Sequence, residues 1–342
     1  MAKLARRFLA LCSSLTTLGL ALICVAALAG FAYAPFDLFN HGQLIWLPAL
    51  IVATIAAGLL FQPGQARQFI VGIGLIGIAA SAAIILPEAI SSGPRASTAP
   101  QSSVRVMTFN INASFGPATA NLAPIDDADP DILLLQEFWS SIREEIEDQL
   151  DRRFPHKLIC REPIGSYLAI YSKRPIAPLD GQDCLTSTNP ELRTAAIFAE
   201  TTDDAGQPFA VAVTHLRWPA PVERQQGQMR ELAARLASIE TPVLVGGDFN
   251  STPFSYALKR FATDARVQRQ TRFLPSFPAA VASHLESFSR FIAWPIPFGV
   301  PPFLPLDHLM TRGMAVSHVT LAADSGASDH YPVYADVTLR AD

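Results

Sequence analysis

The chain has 342 residues, half of them hydrophobic and only 16% charged, with a formal net charge of −4. That length admits two or three domains, although a large sandwich can also run as one unit. The acidic balance does not favour tight non-specific binding to nucleic acid, which relies on Lys and Arg neutralising phosphates.

The apolar excess is gathered at the N-terminus. Four basic residues (Lys3, Arg6, Arg7, Arg67) and two acidic ones (Asp37, Glu88) precede Pro94, so the rest of the chain carries −6. Residues 8–34, 44–61 and 69–86 hold no charge at all, and a spanning helix needs roughly 20 apolar residues. Three such runs joined by short loops read as transmembrane helices at about 8–31, 44–61 and 69–87, rather than as buried core helices. Ala32 and Ala34 give the first run the Ala-x-Ala pattern of a cleaved signal peptide. Its apolar stretch is too long for a usual signal core, however, and Pro35 would follow the cut, so an uncleaved anchor is preferred. Lys3, Arg6 and Arg7 precede the first run and Arg67 the third; the positive-inside rule puts both in the cytoplasm and everything after the third run outside. In a Gram-negative cell this means a multi-pass inner-membrane protein with a periplasmic domain. The spans carry no buried ionisable residue of the kind that marks a transport pathway, which argues against a transporter.

Residues 91–103, "SSGPRASTAPQSS", are small and polar with two prolines, a linker composition. The domain that follows, 104–342, is long enough to bury a core without staples. Cys12 and Cys24 fall in the first span, while Cys160 and Cys184 fall in the outer domain. An oxidising compartment would allow the latter two to pair, and two separate buried thiols are the alternative.

Short runs rich in β-branched residues recur through the domain: "VRVMTFNI" (104–111), "DILLLQE" (131–137), "YLAIYS" (167–172), "TAAIFAE" (194–200), "FAVAVTHL" (209–216), "TPVLVGGDFN" (241–250) and "YPVYADVTL" (331–339). Each has strand length and is bounded by Pro, Gly, Asp or Asn. Two stretches have helical periodicity: one places Ile142, Ile146 and Leu150 on one face, the other Met229, Leu232, Leu236 and Ile239. Strands apolar throughout, flanked by helices, imply a sheet core with outer helices. Residues 273–305 break the pattern with Phe and Pro, reading as a substrate-side loop, a membrane-facing surface or a structural cover. Lys259, Arg260, Arg266, Arg269 and Arg272 make either a basic strip or a solvated helix face.

Polar residues cluster where the strands stop. Asn110, Glu137 and His215 each close a strand, Asp248 and Asn250 follow Gly246 and Gly247, and two Asp-His pairs stand at Asp307–His308 and Asp329–His330. A lone Asp or Asn after a strand is more often a turn residue than a functional one. As a set they are harder to dismiss, because carboxylates are costly to place repeatedly at the ends of buried strands without a partner. The two glycines either let the backbone approach a site or serve tight packing.

In order, "TFNIN", "DPDILLLQE", "VTHL", "VLVGGDFN", "LDHLM" and "SDHYPV" resemble the motifs of the endonuclease/exonuclease/phosphatase superfamily, over about 104–339. The resemblance implies an α/β fold, a four-layer sandwich of two mixed β-sheets flanked by helices, here after three transmembrane helices. It also implies hydrolysis of phosphoric esters with Mg²⁺, or Mn²⁺, as cofactor. Glu137 would be the main metal ligand, with Asn110 and Asp329 helping to hold the metal site. Asp248 would orient or deprotonate the attacking water and Asn250 would hold that water or a phosphate oxygen. His330, fixed by Asp307, would contact the phosphate, and His215 would donate a proton or stabilise charge. Arg193 is either a phosphate contact or an exposed structural arginine. The sequence departs from the family in two places. The carboxylate that orients His215 in some relatives is not evident, Glu162 being a weak candidate. "LPSFPA" (274–279) stands where bacterial relatives carry a tryptophan motif.

The expected substrate is a phosphate ester, whether nucleic acid, phospholipid or a small ester, with membrane lipid around the N-terminal helices and no protein partner indicated. The competing reading is a catalytically silent member of the fold that binds a ligand or partner. The filled catalytic positions favour the enzyme.

Overall fold

A computed structural model describes residues 2–90, 103–181, 184–187, 189, 191–279 and 301–340. Most of the linker read at 91–103, and residues 280–300 of the Phe- and Pro-rich segment, lie outside the described residues. The chain divides into two compact units, one holding residues 1–91 together with Thr252–Lys259, the other holding the rest.

The first unit contains helices Ala2–Leu28, Gln43–Leu60 and Gln65–Ile90. They belong to three stretches long and apolar enough to cross a membrane, Lys3–Phe31, Ala34–Leu60 and Gln65–Ile90. Small residues set how closely the helices approach. A Cβ on Gly77 would sit 2.6 Å from the Cα of Ala21 and 2.8 Å from Leu50, and one on Gly74 would collide with Thr54. Ala21, Cys24, Leu50 and Ala80 are buried between them. Asp37 and Glu88, outside the runs expected to span, fall within the ends of the longer observed stretches, and both are buried. A composition count finds these two acids but not where their side chains point.

The second unit is built on strands β1 (Val104–Asn110), β2 (Ile132–Gln136), β3 (His156–Arg161), β4 (Tyr167–Ser172), β5 (Ala177–Pro178), β6 (Leu185–Thr186), β7 (Ala195–Thr202), β8 (Pro208–His215), β9 (Val243–Asp248), β10 (Gln268–Arg269), β11 (Asp307–Arg312), β12 (Met314–Leu321) and β13 (Val333–Leu339). Among the described residues, one sheet has the order β12-β13-β1-β2-β4-β3. The other runs β10-β11-β9-β8-β7-β5, with β6 also on β7. Both sheets are mixed: β1–β2 and β8–β9 pair in parallel and their neighbours antiparallel.

The strands read apolar throughout because both faces are covered. Val106, Ile132, Leu134 and Ile170 of one sheet meet Ile197, Val211, Val213 and Leu244 of the other in a shared core. The alternate residues Met107, Phe109, Leu133 and Leu135 point the other way, against Ile125 of helix Leu122–Ala128 and Ile142, Ile146 and Leu150 of helix Ser140–Arg153. On the second sheet, helix Val222–Ala237 buries Met229, Leu232 and Leu236. Cys160 and Cys184 form a disulfide with Cα atoms 5.6 Å apart, inside the usual range. The basic residues of 259–272 are spread over helix Tyr256–Asp264 (Lys259, Arg260), the turn after it (Arg266), β10 (Arg269) and the chain beyond β10 (Arg272).

Candidate active site

The parallel pairings decide where the polar strand ends meet. β1 and β2 end together, Asn110 opposite Gln136, and Glu137 is the next residue along. In the other sheet His215 of β8 lies opposite Asp248 of β9. β11 runs back beside β9 and sets Asp307 opposite Asp248 as well. Asp329 and His330 arrive from the turn before β13. That turn is tied down by Ser328, whose hydroxyl donates to the Asn110 carbonyl (2.7 Å) and accepts from the His330 amide (3.0 Å). Glu137 (φ 52°) and Asn250 (φ 46°) both leave their strands in the left-handed region. Asn tolerates that conformation, whereas for Glu it is a strain that its surroundings must hold.

The side chains form two clusters that share Asp248. In one, Glu137, His215 and Asp248 offer donor atoms within 4.8 Å of one another, and in the other Asp248, Asp307 and His330 do. The amide nitrogen of Asn110 bridges the carboxylates, donating to Glu137 Oε1 (3.0 Å) and Asp248 Oδ2 (3.1 Å). Asp248 also accepts from Asn250, through the backbone amide (2.8 Å) and the side chain (3.2 Å). His330 Nδ1–H donates to Asp307 Oδ2 at 2.7 Å, leaving Nε2 3.8 Å from Asp248 Oδ2. His215 has the same arrangement: Nδ1–H donates to Glu162 Oε2 at 3.2 Å, and Nε2 lies 3.7 Å from Glu137 and 3.8 Å from Asp248. Asp329 lies outside both clusters, with a buried Oδ1 that has no partner among the described residues.

Electrostatics follow from this crowding of acids in a buried place. Burial works against a charged His330, but Asp307, Asp248 and Asp329 outweigh it and raise its pKa to about 10. Burial likewise opposes a charged His215, and Glu162, followed by Asp248 and Glu137, raises it to about 9. Asp248 is pushed up to about 6, by burial first and then by Asp307, against the two imidazoles. Asp329 is raised too, by burial above all, with Glu137 and Asp307 contributing.

Three supporting groups had little or no sequence signal. Glu162 is buried, and is the carboxylate that orients His215. Gln225 and Gln228, on the helix packed behind β9, hold the surrounding loops: Gln225 donates to the carbonyls of Arg217 (2.7 Å) and Asn250 (3.0 Å), and Gln228 accepts from the Arg217 amide (2.9 Å). His308 is fully buried; its Nε2–H donates to the Ser251 carbonyl and its Nδ1 accepts from the Thr271 hydroxyl, both at 2.8 Å. Burial, with Arg269 adding to it, lowers its pKa to about 3, so the ring is neutral and supports the chain just after Asn250. The glycines turn out to serve packing. A Cβ on Gly246 would meet Leu134 and Leu309 between the sheets, and one on Gly247 would collide with the Thr214 carbonyl.

Beside the clusters opens a cavity of about 390 Å³, lined by Glu137, His215 and Asn250 together with Ile164, Arg193 and Trp218. Trp218 is exposed and makes an edge contact with Phe277, which in turn lies against the His330 ring. "LPSFPA" thus supplies an aromatic, Phe277, between Trp218 and His330.

The His215–Glu162 pair gives a direct prediction. Glu162→Gln removes the leading cause that holds the His215 pKa up, so that pKa falls towards or below the ordinary value of about 6.5. NMR titration of the ring measures it, and an unchanged value would show that Glu162 does not control His215. If protonated His215 is the active form, the high-pH limb of the rate profile moves to lower pH with it.

The profile of the Endonuclease/Exonuclease/phosphatase family matches residues 107–330. Among solved structures, the human Nocturnin catalytic domain with bound sulfate anion is similar at 19% identity and a TM-score of 0.50, covering 71% of this chain and 97% of that one. An endonuclease/exonuclease/phosphatase family protein from Bacteroides thetaiotaomicron is similar at 12% identity and a TM-score of 0.51, covering 70% and 98%. At such identities the likeness is one of fold. No curated protein matches the sequence.

Proposed function

Because this chain belongs to the endonuclease/exonuclease/phosphatase family, we propose that it is a divalent-metal-dependent phosphoric ester hydrolase. We place it in the inner membrane, anchored by its N-terminal helices, with the active site on the periplasmic side. The observation that carries the reading is the convergence of Glu137, His215, Asp248, Asp307 and His330 at the ends of the central strands.

The donor set fits a hard cation. Glu137, Asp248, Asp307, Asp329 and Glu162 bring five carboxylates to two imidazoles, with Asp248, Asp307 and Glu162 buried, an excess of negative charge that calls for a counter-charge. The buried Oδ1 of Asp329 is a further acceptor without a donor among the described residues. Oxygen donors suit Mg²⁺, with Mn²⁺ able to replace it. In this reading Glu137 is the principal ligand, and Asn110 and Asp329 hold the metal site. When bound, the ion supplies stabilisation of the developing phosphoryl charge.

The remaining roles belong to the chain. Asp248 takes the proton of the attacking water, and Asn250, fixed against Asp248, holds that water or a phosphate oxygen. Asp307 keeps the proton of His330 on Nδ1 and aims Nε2–H at the phosphate. Glu162 does the same for His215, which donates to the leaving oxygen or stabilises its charge. The neighbouring cavity receives the organic part of the ester. Trp218 and Ile164 give it apolar surface and Arg193 and Arg217 give it positive charge, a combination suited to nucleic-acid or phospholipid diesters.

Two features support the compartment. The Cys160–Cys184 disulfide suits an oxidising space, and Lys3, Arg6, Arg7 and Arg67 give the spans their cytoplasmic ends. A single experiment tests activity and side together. Spheroplasts producing the full chain are offered membrane-impermeant DNA, RNA, phospholipid headgroup diesters and phosphomonoesters, with magnesium or with EDTA. Magnesium-dependent turnover without detergent is expected. Turnover only after detergent would overturn the orientation, and none under either condition would overturn the hydrolase reading.

A further inference from the structure

The first unit contains a buried carboxylate that anchoring does not require. Asp37, which ends the short helix Ala34–Asp37 at the start of the second span, accepts four hydrogen bonds: from Asn40 Nδ2 (2.8 Å), Ser255 Oγ (2.8 Å), and the backbone amides of Tyr256 and Ala257 (both 2.9 Å). Three of the four donors lie more than 200 residues along the chain, at the start of helix Tyr256–Asp264. The first N–H groups of a helix have no partner within it, and an acid there is favoured by the helix dipole. Such acceptors are normally local Ser, Thr, Asp or Asn side chains; here Ser255 Oγ accepts from the Leu258 amide (3.3 Å), and the acid that takes the Tyr256 and Ala257 amides comes from the membrane segment. His41, four residues on, accepts from the Thr252 amide at 3.2 Å. Phe254 is fully buried against Ala27 and Ile84, with Phe39 packed alongside.

The segment so held, Thr252–Lys259, begins two residues after Asn250. That asparagine sits at φ 46°, and an uncommon backbone state persists only when its surroundings over-determine it. From one side, Gln225 holds the Asn250 carbonyl and His308 holds that of Ser251. From the other, His41 holds Thr252 and Asp37 holds Ser255 to Ala257. We propose that Asp37 is a positioning residue for catalysis. It fixes the segment after Asn250 and thereby the pose of Asn250 itself, which makes the N-terminal helices part of the working enzyme as well as its tether. The proposal rests on the role given to Asn250 above.

The test uses the full chain in detergent micelles, comparing wild type with Asp37→Ala and Asp37→Asn. Hydrogen exchange is followed in peptides spanning Tyr256 and Ala257, and kcat and KM are measured separately on whichever ester is turned over. Asp37→Ala is expected to speed exchange at those amides about tenfold, the scale of a lost helix cap. It should lower kcat by about 10- to 100-fold with KM within about twofold, as a small misplacement of a site group does. Asp37→Asn keeps the volume and one acceptor oxygen, so it should fall between the two and partly restore kcat. This variant also serves where Asp37→Ala does not fold. Faster exchange with unchanged kcat would reduce Asp37 to a helix cap and overturn the proposal, and so would unchanged exchange. A wild-type chain without metal-dependent turnover would count against the hydrolase reading instead, and the exchange arm would still decide whether Asp37 fixes the segment.

Discussion

Glu137→Gln is expected to lower magnesium-dependent kcat/KM by about 10³-fold or more, close to the level that EDTA leaves in the wild-type enzyme. The size follows from what the carboxylate is asked to supply. Metal stabilisation of a phosphoryl transition state is worth several kcal/mol, and each 1.36 kcal/mol is about tenfold in rate. Glutamine matches the shape of glutamate and can still accept from Asn110 Nδ2, which bonds Glu137 Oε1 at 3.0 Å. It lacks the charge that makes the group a good ligand for a hard cation. The variant should therefore fold, and its deficit should appear in metal affinity as well as in rate. Titration with Mn²⁺, followed by calorimetry, is expected to show binding weakened by at least about tenfold. Wild-type turnover from Glu137→Gln, or an undiminished Mn²⁺ affinity, would remove Glu137 from the metal site. Raising magnesium should restore only part of the rate, since the neutral oxygen also stabilises the transition state less.

Much of the fold was legible because burial on two faces writes itself into composition. "ILLLQ" and "VLVGG" have no alternation to lose, and strands of that kind sit only inside a covered sheet. The strand-end residues were legible for a related reason: a polar group that ends an apolar run sits where the strand leaves the covered core. What one chain could not say was which edges meet. That depends on parallel pairing of β1 with β2 and of β8 with β9, and pairing leaves no local mark. β3, β11 and β12 were missed as strands. "HKLICR" and "MAVSHVTL" are half exposed at the ends of their sheet, and "DHLMTR" begins with two groups that read as chemistry. Glu162 gave only a faint signal because it sits in a tight turn with Gly165 and Ser166, where an acid is unremarkable. Its partner is 53 residues away. Asp37 enters the sequence reading only as one of two acids before Pro94. Its carboxylate is occupied by backbone amides that no pattern in the first 90 residues anticipates.

Asp248→Asn is expected to move activity and stability in opposite directions, which separates a chemical role from a structural one. Asp248 is the residue common to both clusters and is buried to 1% exposure. Its pKa of about 6 lies above the ordinary value for Asp, near 3.9, because burial and Asp307 penalise its charge more than the two imidazoles favour it. The sign of the linkage follows. A carboxyl whose folded pKa is raised contributes stability while protonated and loses it as pH rises through about 6. Above that pH the ionised group is a cost to the metal-free fold, and the neutral amide relieves it. Against this stand the hydrogen bonds from the Asn250 backbone amide to Oδ1 and from the Asn250 and Asn110 side chains to Oδ2; the variant has one acceptor oxygen and loses those on the other atom, at about 1 kcal/mol each. At pH 8 in EDTA, Asp248→Asn should therefore melt no lower than wild type. Turnover should go the other way. With the proton acceptor gone, kcat falls by about 10²- to 10⁴-fold, the usual share of acid–base help, while KM changes little because the amide still fills the place. The wild-type rate should rise with pH through the region near 6 as Asp248 ionises, and the variant's residual rate should lack that limb. A bound metal would shift the limb to lower pH by favouring the carboxylate, so the profile is best recorded at two magnesium concentrations. If activity and melting temperature fall together, the loss belongs to the fold and Asp248 is not the base.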